Sequence, residues 1–131
     1  MTVMTAADEA ASFAAYEAIA ASLQDYIDGA RTGDGKLIQR AFLDDASIRG
    51  SYGRKPVDWT VQAFGEIIDK GGPAPALKAR IVAIELSGSA AMARIEAENW
   101  RGTRYTDFFT LVLRDGRWRI ASKTFFAHAR A

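Results

Sequence analysis

The stretch from Leu77 to Ala127 constrains this chain more than any other part of it. It divides into LKARIVAIELS, AAMARIEAENW, RYTDFFTLVLR and RWRIASKTFFA, separated only by GS, RGT and DG. Each segment is rich in branched and aromatic residues, the composition of a pleated, half-buried surface. The spacers are too short for a crossover, so consecutive strands must pair antiparallel; Asp-Gly is the strongest hairpin signal among them. A sheet of this kind has to cover one face, and the upstream half of the chain has to supply the cover.

That half reads as helices. From about Asp8 to Arg31, apolar side chains recur at Phe13, Tyr16, Ile19, Leu23, Tyr26 and Ile27, a helical stripe that Arg31 and Gly33 close. Asp34 is placed to cap a short helix, GKLIQRAF, with Leu37, Ile38, Ala41 and Phe42 inward. DDASIRGSYGRKPVDW reads as a strand, a Gly-containing turn and a second extended piece, which Pro56 confines to a sheet edge. Thr60 can cap a third helix, VQAFGEIIDK, and GGPAPA breaks it. The expected fold class is α+β, with the N-terminal helices packed on a curved antiparallel sheet. Residues 1–131 form a single domain, with residues 1–7 a flexible N-terminus.

Composition narrows the chemistry. The basic residues, 17, nearly cancel the acidic ones, 16, so no nucleic-acid or membrane surface is expected. The absence of cysteine excludes disulfides, thiolate nucleophiles and Cys-based zinc sites, and a single histidine argues against a His-cluster metal site. No metal and no cofactor are expected. MTVMTAADEAASFAAYEAIAAS carries Asp8, Glu9 and Glu17 without an early Lys or Arg, which makes it a poor signal peptide and too polar for a membrane span. The default compartment is the cytoplasm.

Strand parity then sorts the side chains. With Asp115 and Gly116 as the loop, Leu113 faces Trp118 and Leu111 faces Ile120, and all four point to the core. Period two carries Asp107, Tyr105, Ser122, Thr124, Phe126 and His128 to the same concave side. In the neighbouring hairpin a three-residue loop, Arg101-Gly102-Thr103, keeps Ala93, Ile95, Ala97 and Asn99 inside. A turn at Gly88–Ser89 puts Leu86, Ile84 and Val82 inside and brings Arg80 with them. The expected concave row is therefore Arg80, Ala97, Asp107, Thr124, with Lys78, Asn99, Tyr105 and Phe126 beside it. The convex face collects Arg94, Glu96, Glu98, Phe108, Thr110, Val112, Arg119 and Lys123. Its apolar patch among mixed charges points to a homodimer through the sheet back, with Phe108, Val112, Glu96 and Arg119 in the contact.

YIDGARTGDGKLIQRAFLDDASIRG, GSAAMARIEAENW and YTDFFTLVLRDGRWRIASKTF, in that order and spacing, resemble the nuclear transport factor 2-like superfamily from about Tyr16 to Phe126. Within it the chain is most similar to the putative lumazine-binding, polyketide-cyclase-like branch. The resemblance implies a cone, a strongly curved sheet wrapped around a long helix, with a pocket at the open end and pairing of two sheet backs. It implies no single reaction, since the superfamily hosts isomerases, dehydratases, cyclases, transport factors and non-catalytic domains.

Asp107 is the candidate catalytic group, because an inward carboxylate in an apolar cone has a raised pKa and can act as general acid or base. Isomerases of the superfamily work through such an acid with a hydrogen-bond donor nearby. Candidate ligand contacts are Tyr26, Tyr52, Trp59, Arg80, Asn99, Tyr105, Thr124 and His128. The structural alternative pairs Asp107 with Arg80, Lys78 or Thr124 and makes it a strut in the pocket wall. GARTGDGKL is not a phosphate loop, since Ala30 and Leu37 occupy positions that need Gly and Ser or Thr. The expected function is that of a pocket protein for a small, largely apolar ligand. Whether it is a cofactor-free isomerase, dehydratase or cyclase, or a non-catalytic binding or dimerisation module, stays open at this point.

Overall fold

A computed structural model describes residues 6–129 of the chain, with side chains described from residue 12. The expectation for residues 1–7 falls largely outside them. A long helix, α1 (Ala6–Thr32), leads into a short one, α2 (Gly35–Ala41), and then into strands β1 (Phe42–Tyr52) and β2 (Lys55–Trp59). Helix α3 (Val61–Gly71) follows, and β3 (Lys78–Ser87), β4 (Ala90–Trp100), β5 (Thr103–Arg114) and β6 (Arg117–Ala127) complete the chain.

The helix starts are where local chemistry puts them. The Asp34 carboxylate accepts from Leu37 N at 3.1 Å, and the Thr60 hydroxyl accepts from Ala63 N at 3.0 Å. Helix α2 crosses α3 at glycine: a Cβ on Gly35 would collide with the Gly65 carbonyl. Side chains of α1 at a spacing of three and four, Ile19, Leu23, Tyr26, Ile27 and Ala30, are buried against the sheet. There they meet Phe42, Ile48, Ala93, Ile95, Phe109, Leu111, Trp118 and Ile120.

The six strands form one sheet in the order β2-β1-β6-β5-β4-β3, with β2 at an edge as Pro56 requires. All neighbours are antiparallel except β1 and β6, whose parallel pairing departs from the antiparallel expectation. The turns at Gly88–Ser89 and Asp115–Gly116 are as read from the sequence. The next hairpin differs. Its loop is Arg101-Gly102, both at positive φ, with Trp100 paired to Thr103.

Bulges change the register that simple alternation gives. In β6 the pairing shifts between Leu111–Ile120 and Thr110–Ser122, so Ala121 is the extra residue. From there outward the strand's faces exchange: Lys123 and Phe125 are buried, while Thr124 and Phe126 are exposed. In β3 a shift at Val82 does the same, burying Leu77 and turning Ala79 and Ile81 inward while Arg80 and Lys78 go outward. A third irregularity lies between Ala97 and Trp100 and leaves Asn99 exposed at φ 58°. Bulges bend and twist the strand that carries them, and this sheet needs that curvature to wrap α1.

Candidate active site

Tyr26, Asp107 and Lys123 come from three elements and meet in the concave interior. Tyr26 is on the buried stripe of α1 and is 2% exposed. Asp107, on β5, is 0% exposed, flanked in register by Ile95 of β4 and Phe125 of β6. Lys123 pairs with Phe109, which makes it the diagonal neighbour of Asp107 on the same face, and it is 3% exposed. The Tyr26 hydroxyl donates to Asp107 Oδ2 at 3.1 Å; Oδ1 has no hydrogen-bond partner among the described residues.

The Lys123 ammonium lies among rings. Its Nζ is 4.4 Å from the centroid of Phe64, 4.8 Å from Phe125, 5.0 Å from Tyr26 and 5.7 Å from Trp100. Direct ion pairs among the described residues involve other side chains, and none joins Lys123 to Asp107. Burial pushes the Asp107 carboxyl up, against the pull of Lys123 and the Tyr26 hydrogen bond. Burial pushes the Lys123 amine down, with Asp107 opposing. For Tyr26, burial and then Asp107 hold the phenol well above its usual value. Each group is thus driven toward its neutral form.

A cavity of about 340 Å³ opens between α3 and the ends of β1, β2, β4, β5 and β6. Its walls are Tyr52, Trp59, Phe64, Ile67, Ile68, Trp100, Tyr105 and Phe125, with Thr103, Arg101, Gly71 and Gly72 completing the lining. Lys123 is the one amine on that lining; Asp107 and Tyr26 lie behind it. Trp59 stacks between Phe64 and Phe125, and the Tyr105 hydroxyl donates to Tyr52 at 3.4 Å. Most of the remaining lining is aromatic and aliphatic, with Arg101, Thr103 and the Tyr52 and Tyr105 hydroxyls as its other polar groups, a combination that suits a small ring compound bearing polar substituents.

Of the residues singled out in the sequence, Tyr26 joins Asp107, and Tyr52, Trp59 and Tyr105 line the cavity. The other four do not. Arg80 is exposed on the convex side, opposite Glu96 in register, and cannot pair with Asp107. Thr124 is exposed on that same side, and Asn99 is turned out by its bulge. His128 also faces the convex side, with its Nε2 at 2.9 Å from the Thr106 hydroxyl. Thr106 in turn donates to Glu96 at 3.0 Å, and Arg94 and Arg104 reach the same carboxylate. Burial raises Glu96, but these hydrogen bonds outweigh it and hold its pKa below the ordinary value. Lys123 is the site residue that the sequence reading missed, because alternation from the turn put it on the convex face. WRIASKTFF carries no decisive signal for it: unbroken alternation from Trp118 and Ile120 buries Phe126, one extra residue buries Phe125, and the sequence offers both phenylalanines. Among the described residues no cluster of His, Asp or Glu could hold a metal ion. No described helix is long and apolar enough to cross a membrane.

Comparison with known proteins agrees with this architecture. The family model described as "Putative lumazine-binding" matches residues 14–126. A crystal structure of an NTF2-like protein of unknown function from Methylobacillus flagellatus KT is 33% identical, covers 98% of this chain and 99% of its own, and superposes with a TM-score of 0.84. One from Shewanella baltica OS155 is 32% identical, covers 97% and 99%, and gives 0.83. The aldolase FrzH of Cladobotryum sp is 28% identical over 116 residues, 88% of this chain and 93% of that protein.

Proposed function

Because the chain belongs to the putative lumazine-binding family and has its NTF2-like fold, we propose that it binds a small, largely apolar carbonyl compound and acts on it by cofactor-free acid–base chemistry. The observation that carries the reading is a buried amine on the wall of a largely apolar cavity, backed by a carboxyl–phenol pair. Water is displaced from such a site by an apolar ligand, and a polar group on that ligand has Lys123 to meet. Isomerisation, dehydration, cyclisation and aldol reactions share one demand: a proton moves next to a carbonyl while charge develops on its oxygen. The relative named an aldolase supports chemistry of that kind. Asp107 acts through Lys123, since it does not reach the cavity itself, and Tyr26 fixes the orientation of its carboxyl.

A screen of cyclic ketones and enones, with binding followed by quenching of Trp59 and Trp100, tests the reading. Turnover found in the wild type is expected to vanish in Lys123→Met and to fall by about 10²–10⁴ in Asp107→Asn. Full turnover in Lys123→Met would sink it. One observation favours a non-catalytic binding module instead: Asp107 is absent from the cavity lining. Tight binding across the screen without turnover of any compound would decide for that alternative.

The convex face supports self-association as a second part of the proposal. Phe108 is 48% exposed and Met92 45% exposed on it, with Arg94 over the Phe108 ring and the Glu96 network beside it. A self-complementary patch of mixed charge around an apolar centre suits a two-fold contact between copies.

A further inference from the structure

We infer that Lys123 is a covalent nucleophile, forming a Schiff base with the carbonyl carbon of the cavity's ligand. The inference rests on the pocket reading above and gives its amine a defined chemical task. Three observations of geometry carry it. The amine is the one such group on the cavity lining, and the rest of the side chain is buried. No direct ion pair with Asp107 ties it down. The nitrogen sits within 6 Å of four ring centroids, those of Tyr26, Phe64, Trp100 and Phe125.

Nucleophilic lysines need an unprotonated nitrogen, and a hydrophobic pocket supplies it by penalising the ammonium. Burial lowers the Lys123 pKa in this sense. The rings oppose that effect before reaction and assist afterwards, because an iminium is a planar cation that π faces stabilise. In the step itself, the nitrogen lone pair forms the C–N bond and the C=O π pair moves to oxygen. That oxygen takes one proton from the nitrogen, giving a neutral carbinolamine. A second proton, from solvent at the cavity mouth, accompanies oxygen as it leaves as water, and nitrogen keeps its last proton in the iminium. The product cation lies beside Asp107, whose carboxyl becomes its counter-charge on ionising. Electron withdrawal by the iminium then acidifies the neighbouring C–H, which is what the acid–base reactions proposed above require.

The other lysines, Lys36, Lys55, Lys70 and Lys78, are all exposed and serve as controls within the same molecule. The experiment incubates the wild-type protein with 1-phenylbutane-1,3-dione near neutral pH. A reactive amine converts this diketone to a stable enaminone with a new near-ultraviolet band. The expected result is a single adduct per chain, a mass gain of the diketone less one water, mapped by peptide mass spectrometry to Lys123. Lys123→Met should lose it, and the wild-type map stands even where that variant fails to fold. Quenching of tryptophan fluorescence without an adduct, or labelling spread over the exposed lysines, overturns the Schiff base and leaves the pocket reading standing. Neither quenching nor adduct overturns both.

Discussion

Burial acts on Asp107 and Lys123 in opposite chemical senses and with one outcome, since each loses its charge more easily than it would in water. The consequence for stability follows from proton counts. Asp107's folded value is raised, so the folded state keeps a proton that the unfolded chain has released. Its contribution is complete below the unfolded value, about 3.9, and is lost as pH rises through the folded value. Lys123's folded value is lowered; its contribution is complete above about 10.4 and is lost as pH falls through the folded value. Urea unfolding of the wild type and Asp107→Asn at a series of pH values reads the first effect as a difference. The wild type should lose stability relative to the variant from about pH 4 upward, by at most about 1.4 kcal/mol per pH unit. A constant difference across that range would mean that Asp107 ionises in the fold as it does in water. Asp107 itself was legible in the sequence, because its parity is counted from the Asp-Gly turn along an unbroken β5. Lys123 was not, because its count passes through Ala121.

At the scale of the element, β6 shows what one inserted residue does. Up to Ile120 the strand follows the alternation set by its turn, and beyond Ala121 it follows the opposite one. The exchange brings Phe125 and Lys123 into the core and sends Thr124 and Phe126 out. Deleting Ala121 leaves every pairing of β6 with β5 in place, with Leu111–Ile120 directly beside Thr110–Ser122, so Trp118, Ile120, Lys123 and Phe125 keep their inward side by plain alternation. What the deletion removes is the bend and added twist of the bulge, which help the sheet wrap α1. The variant is expected to fold with Lys123 still inside and to melt at a lower temperature, since a straighter strand loosens packing on α1, where burying one such side chain contributes roughly 1.5–3 kcal/mol. A deletion variant with an unchanged midpoint would show that the curvature does not depend on this bulge. The β3 bulge at Val82 follows the same logic: it carries Arg80 away from Asp107 and so removes the partner that a strut would need. Helix ends and turns, by contrast, were readable because Asp34, Thr60 and Asp115-Gly116 act over three or four residues.

For the whole molecule, curvature links the two faces of the sheet. The concave side wraps α1 and leaves a cavity where α3 and the strand ends diverge; the convex side presents Phe108 and Met92 around the Glu96 network. If copies pair through that back, Phe108→Glu places a buried charge at the contact, and sedimentation should show monomers where the wild type is a dimer. A variant that sediments as the wild type does would place the contact elsewhere. The mutation is remote from the cavity face, so binding of a carbonyl ligand should survive it.

Local sequence was enough for the α+β class, the order of the elements, the capping of α2 and α3, the Asp-Gly and Gly-Ser turns, and the inward position of Asp107. All of these depend on residues close in sequence or on an alternation counted from a marked turn. Contacts between distant parts of the chain set β1 parallel beside β6, re-aim the side chains of β3, β4 and β6 at bulges, and bring Lys123, in place of Arg80 or Thr124, into the interior with Asp107. The physical reason is that a bulge has no obligatory residue. Its position is set by the curvature the sheet needs to cover α1, and that requirement belongs to the assembled fold.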